Sequence, residues 1–124
     1  MTCKDEIVLY QPDNSTQLEV RVENETVWLN RQQIAQLFNR DVKTIGKHIN
    51  NALREELQGF PTVANFATVQ KEGDRMIERE IEYYNLDMIL SIGYRVKSQK
   101  GIQFRTWSNR ILKDYLLKGY AITE

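Results

Sequence analysis

The sequence is poor in the residues that build disulfides, metal sites and nucleophilic active sites. Cys3 is its one cysteine and His48 its one histidine, which rules out an internal disulfide and, within one chain, a histidine–cysteine zinc site. No serine motif pairs with a base and a carboxylate, and no glycine-rich loop has phosphate-binding spacing. The expectation is a protein that is not an enzyme and that uses no metal or cofactor. Nothing approaches the run of about 18 apolar residues that spans a bilayer, and MTCKDEIVLYQPDN at the N-terminus lacks a signal-peptide core. No membrane partner is expected, and a reducing cytoplasm is the default compartment.

Net charge is also missing. Seventeen basic residues balance seventeen acidic ones, which argues against a non-specific nucleic-acid coat. The charges are nevertheless segregated along the chain. Residues 1–26 carry a net −4, residues 27–54 a net +4, residues 55–94 a net −5 and residues 95–124 a net +5. Two basic blocks that folded side by side would make one positive surface, while blocks packed against their acidic neighbours would simply neutralise them.

What the sequence does contain is a strong signal between Leu29 and Leu53. Asn30 is an N-cap residue for a helix burying Ile34, Ala35, Leu37 and Phe38. Asn39 suits a left-handed turn, and Asp41 can cap a second helix with Val42, Ile45, Ile49, Ala52 and Leu53 on one face. The opposite face carries Lys43, Thr44, Lys47, His48, Asn51 and Arg54, chemical types that bond phosphates and base edges. This is the pattern of a DNA-reading helix-turn-helix. It departs from that pattern in having Asn39 where glycine is commonest and polar Arg40 after it. Gly46 costs the second helix about 1 kcal/mol of propensity relative to alanine, which a close backbone approach would explain. A helical hairpin that only builds a core is the competing reading.

Strands flank this pair. Ile7 to Leu9, a turn in Gln11–Asn14, the alternating Leu18, Val20 and Val22, a turn at Glu23–Glu25 and Thr26–Leu29 form an N-terminal β-hairpin region over 6–29. The helix-turn-helix occupies 30–57, with a stop at Gly59 before Pro61. A second hairpin spans 62–84 and turns at Glu72–Asp74. Glu78, Glu80 and Glu82 recur at strand spacing on what reads as a solvated face, which argues against phosphate contact by the hairpin. Two C-terminal helices close the chain over 85–119. Asn85 caps the first, a basic link runs from Arg95 to Gly101, and the second has an apolar stripe of Phe104, Trp107, Ile111, Leu112, Tyr115 and Leu116 that stops at Gly119. Trp28, Phe38, Tyr84, Phe104, Trp107 and Tyr115 are read as core, Tyr94 and Tyr120 as less constrained, and Arg105 as pairing with an acidic neighbour such as Asp87. The fold class is α+β in one domain.

Several of these segments together resemble the virulence RhuM family. The resemblance rests on Val27-Trp28-Leu29, Gln33 to Phe38, Thr44-Ile45, His48-Ile49, Tyr83 to Asp87, Ile92 to Val96, Gly101, Gln103-Phe104-Arg105, Trp107, Ile111-Leu112, Tyr115-Leu116 and Lys118 to Ala121. The segment from Tyr94 to Trp107 is also similar, more weakly, to the DNA-binding N-terminal domain of viral and phage BRO proteins. The resemblance implies a DNA-binding protein of the kind found in horizontally acquired, virulence-associated or mobile regions, of which residues 1–124 would form an N-terminal domain.

The expected function is sequence-specific binding of double-stranded DNA in a transcription-regulator-like role. Lys43, Thr44, Lys47, His48 and Asn51 would read bases, while Arg95, Lys97 and Lys100 of the basic link add salt-dependent phosphate contacts. A homodimer fits, because one short helix reads only a half-site. The alternative is a protein-protein interaction module in which the helix pair is scaffold and a partner docks on the long C-terminal helix or a hairpin edge.

Overall fold

A computed structural model of the chain describes residues 6–123, with side chains as far as Tyr115. Cys3 lies outside the described residues, and the side chains of Leu116, Lys118 and Tyr120 lie outside the described side chains. The elements are β1 (Glu6–Asp13), β2 (Thr16–Glu23), β3 (Thr26–Asn30), α1 (Arg31–Phe38), α2 (Val42–Arg54), β4 (Val63–Glu72), β5 (Arg75–Asn85), α3 (Leu86–Arg95) and α4 (Lys100–Thr123).

The strands expected as two separate hairpins form one antiparallel sheet in the order β1-β2-β3-β5-β4. Short β3 joins them, pairing Arg21 with Trp28 on one side and Leu29 with Tyr84 on the other. Asn24 and Glu25 both have positive φ, the backbone that a tight two-residue hairpin turn requires. β1 continues through the expected turn as far as Asp13, with a register break between Tyr10 and Asp13. The Asp13 carboxylate accepts from the Ser15 and Thr16 N–H groups and so closes that turn one residue pair later.

One face of the sheet is covered by the helices. Leu18, Val20, Val22, Val27, Leu29 and Tyr84 meet Ile34, Phe38, Ile45, Ile49, Met88, Ile92 and Phe104 in a single buried cluster, with Trp107 and Tyr115 packed at its margin. Trp28 is buried, as expected of a core residue, and lies on the other face of the sheet. There Trp28, Phe66 and Tyr83 meet edge to face, and the Arg21 guanidinium lies 4.5 Å from the Phe66 ring and 5.2 Å from the Tyr83 ring. Arg21 and Phe66 belong to strands three places apart, roughly 14 Å on a flat sheet. Their side chains therefore lean toward each other across Trp28 and Tyr83, tying the second hairpin to the first.

Three boundaries differ from the expectation. α2 ends at Arg54 rather than near Leu57, because the Leu57 N–H reaches back 2.8 Å to the Ala52 carbonyl and tucks the leucine against the core. The basic link shrinks to Val96–Gln99, since Arg95 is the last residue of α3 and Lys100 the first of α4. α4 runs through Gly119 to Thr123; an interior glycine costs a helix about 1 kcal/mol, which does not by itself end it.

Candidate nucleic-acid interface

The candidate surface is built on the link between α1 and α2. Asn30 caps α1 through a capping box: its side chain accepts from the Gln33 N–H, and the Gln33 side chain accepts from the Asn30 N–H, both at 2.9 Å. Asn39 ends α1 in the left-handed conformation, φ 54° and ψ 52°. Asp41 then caps α2 by accepting from the Lys43 N–H at 3.0 Å. These caps fix the relation between the helices, and Ile45, Gly46, Ile49 and Ala52 lock one face of α2 against the core.

At Gly46 the group that comes close is a side chain, not the backbone that its propensity cost suggested. A methyl group there would lie 3.2 Å from the Arg31 guanidinium, so the arginine from the start of α1 lies across α2 at this point. Arg31 also influences the buried Tyr84 hydroxyl, which donates to Glu82 at 2.8 Å. Burial pushes the Tyr84 phenol up from its ordinary value.

The face of α2 turned away from the core is basic. Lys43, Lys47, Asn50 and Arg54 are exposed, Thr44, His48 and Asn51 are half-buried, and the helix contains no carboxylate from Val42 to Arg54. Neither lysine has an ion-pair partner among the described residues. Arg54 donates to the Asn51 side chain. Asn51 is thus held by its own helix neighbour, while the His48 Nδ1 is enclosed without a hydrogen-bond partner. Arg54 and Asn50, which stand beside the two lysines, complete a stripe that a helical projection of the sequence already contains.

The residues of the basic link are distributed differently from one another. Arg95 is clamped: its Nε and Nη2 donate to the two Glu56 carboxylate oxygens at 3.0 and 2.5 Å, and Nη2 donates to Glu55 at 2.8 Å. The Ser91 hydroxyl also donates to Glu56. Hydrogen bonds from Arg95 and Ser91 hold the Glu56 carboxyl down at about 2, and the same contacts raise the Arg95 guanidinium further above its ordinary value. Arg95 therefore joins the end of α3 to the end of α2, and its charge is locally balanced. Lys97 and Lys100 are exposed.

Arg40, in the sequence only a departure from the helix-turn-helix pattern, links the two basic regions. Its guanidinium donates to the Phe38 carbonyl at 3.0 Å and to the Val96 carbonyl at 3.1 Å. The α3–α4 link, with Lys97, is thereby held within one arginine's reach of the start of α2. Beyond it, a cleft of about 380 Å³ between α3 and α4 is lined by Leu90, Gly93, Tyr94, Lys97, Ile102 and Arg105. Tyr94 is 85% exposed. Arg105 faces this cleft and makes no ion pair with Asp87 among the described residues.

A model of the virulence protein RhuM family matches residues 61–124. The chain belongs to this family. The match covers β4, β5, α3 and α4 of the RhuM-family chain, so it includes Arg95, Lys97 and Lys100 but not the α1–α2 pair. No curated protein and no solved structure matches the chain. Among the described residues, no three His, Cys, Asp or Glu side chains converge as a metal-binding group, and no helix is long and apolar enough to cross a membrane.

Proposed function

We propose that this RhuM-family chain binds double-stranded DNA, with α1 and α2 acting as a helix-turn-helix and α2 entering the major groove. The observation that carries this reading is the carboxylate-free outer face of α2, where Lys43 and Lys47 stand exposed and unpaired on a helix whose other face is fixed in the core. A rigid helix presenting unpaired cations meets two requirements of groove recognition: preorganised position and charge free to neutralise phosphate. Lys43, Thr44 and Lys47 lie toward the N-terminal half, the part of a recognition helix that reaches base edges. His48 and Asn51 border the same surface. Lys97 and Lys100 add phosphate contacts from the neighbouring corner, whereas Arg95 positions α3 against α2 through Glu55 and Glu56 rather than touching DNA. Two copies reading two half-sites would suit a regulator from a virulence-associated or mobile region.

The test is fluorescence-anisotropy binding to a random-sequence duplex pool over a salt series, comparing wild type with Lys43→Ala/Lys47→Ala. Removing two cations from the interface makes the plot of log affinity against log salt shallower by up to about 1.8, the value for lysines that each neutralise a phosphate on a random-sequence duplex. An unchanged slope and affinity in a variant with wild-type circular dichroism would exclude α2 as the DNA-binding element.

A second reading, a protein-interaction module with α1 and α2 as scaffold, is favoured by exposed Tyr94 and Ile102 beside the α3–α4 cleft. It gives no salt-dependent duplex binding in the same experiment.

A further inference from the structure

The sheet has two edges, and they are treated differently. β1 carries Pro12 and breaks register between Tyr10 and Asp13, two devices that stop a strand from recruiting another. β4 has neither. Its pairing with β5 runs without a break from Val63 to Glu72, and no charged residue occurs from Val63 to Gln70. Among the described residues, β5 is the one strand hydrogen-bonded to it. Val63 and Val69 are exposed, Val69 at 61%.

The direction of the free backbone groups follows from one bond. The Asn85 N–H donates to the Thr62 carbonyl at 3.0 Å, which marks Thr62 and the residues alternating with it as facing β5. Val63, Asn65, Ala67 and Val69 therefore point their N–H and C=O groups away from the sheet. A two-fold axis perpendicular to the sheet keeps like faces together only if paired residue numbers sum to an even number. The sum of 132 pairs Val63 with Val69 and Asn65 with Ala67, all of them outward-pointing, and sets Phe66 against its own copy. About eight backbone hydrogen bonds result, and none of the seven residues is charged.

We infer that β4 is a self-pairing edge, through which a second copy of this chain joins antiparallel to make one continuous ten-stranded sheet across a two-fold axis. An identical strand meets no charge repulsion along Val63 to Val69, and in this register its outward backbone groups fall opposite their own kind, which makes a second copy the partner this edge fits. The acidic stripe of Glu78, Glu80 and Glu82 lies on β5, one strand in from the edge. The two stripes stand three strand spacings apart, roughly 14 Å, beyond the screening length of about 8 Å at physiological salt. Repulsion between them weakens the dimer at low salt, so pairing strengthens as salt rises, opposite to the trend for DNA binding. The inference does not depend on the DNA reading.

The test is analytical ultracentrifugation of the 124-residue chain over a concentration series, at low and physiological salt. The expected mass rises from 14.6 kDa to twice that value, at lower concentration in the higher salt. Ala67→Pro removes an outward N–H without touching a bond to β5, and Val69→Lys places a charge opposite Val63 of the partner. Each should weaken pairing roughly tenfold or more while leaving circular dichroism unchanged. A wild-type mass of 14.6 kDa at every concentration, or a dimer that both folded variants leave intact, would overturn the inference.

Discussion

Two glycines face each other where α3 and α4 pack against Phe38, and they should respond oppositely to the same substitution. Gly93 of α3 and Gly101 of α4 both lie against the Phe38 ring. A methyl group at Gly93 would meet Phe38 Cζ at 3.0 Å and Cε1 at 3.2 Å, whereas at Gly101 the nearest atom is 3.6 Å away, an ordinary contact. Neither glycine has positive φ, so alanine is compatible with the backbone at both. Alanine gains up to about 1 kcal/mol of helix propensity at either position. At Gly93 that gain is opposed by overpacking of about 1–3 kcal/mol, because Phe38 is buried on all sides and cannot swing away. Gly101→Ala should thus be neutral or stabilising and Gly93→Ala destabilising, the two differing by about 1–3 kcal/mol. Urea denaturation monitored by circular dichroism measures both, and Phe38→Leu in the Gly93→Ala background should recover part of the loss as a coupling energy of about 1 kcal/mol. A Gly93→Ala midpoint as high as that of Gly101→Ala would refute the packing described for α3, α4 and Phe38.

Two further outcomes follow from the linking elements. Asn39→Ala should cost roughly 1 kcal/mol, since alanine tolerates the left-handed conformation poorly, while Asn39→Gly should be near neutral; thermal unfolding distinguishes them. The depressed Glu56 carboxyl stabilises the fold fully above its ordinary value of 4.5, and that contribution is lost as pH falls through about 2. Because Glu56 is 41% exposed, solvent limits the effect to less than about 1 kcal/mol. Stability measured from pH 7 to pH 2 should fall less steeply for Glu56→Gln than for wild type, and parallel acid limbs would count against the clamp.

Local signals were legible in the sequence because caps and periodicity are set within a few residues. Asn30, Asn39, Asp41 and Asn85 occupy the cap positions that their chemistry suggested, and the turns at Asn24–Glu25 and Gly73–Asp74 fall where the turn residues cluster. The joining of two hairpins into one sheet was not legible, since it depends on three residue pairs between β3 and β5, more than 50 positions apart. The burial of Trp28 can be read from the alternation of its strand, but the covering of that face by Phe66 and Tyr83 cannot, for the same reason.

The candidate site divides in the same way. The outer face of α2 could be read directly, because helical spacing alone separates Lys43 and Lys47 from Ile45 and Ile49. The different environments of Arg95 and Lys97, two residues apart, could not. Clamping of Arg95 depends on Glu55 and Glu56 leaving the helical path after Arg54, and the contact of Arg40 with Val96 spans 56 positions.

The central claim is that the outer face of α2 is the surface that meets DNA. Its most direct measurement is the change in amide NMR signals of the isotopically labelled chain on titration with a random-sequence duplex at low salt. Salt-sensitive shifts concentrated at Lys43, Thr44, Lys47, His48 and Asn51, with a smaller set at Lys97 and Lys100 and none along Glu78–Glu82, are the result expected. Shifts confined to the β4–β5 hairpin or to the α3–α4 cleft, with α2 unmoved, would contradict it.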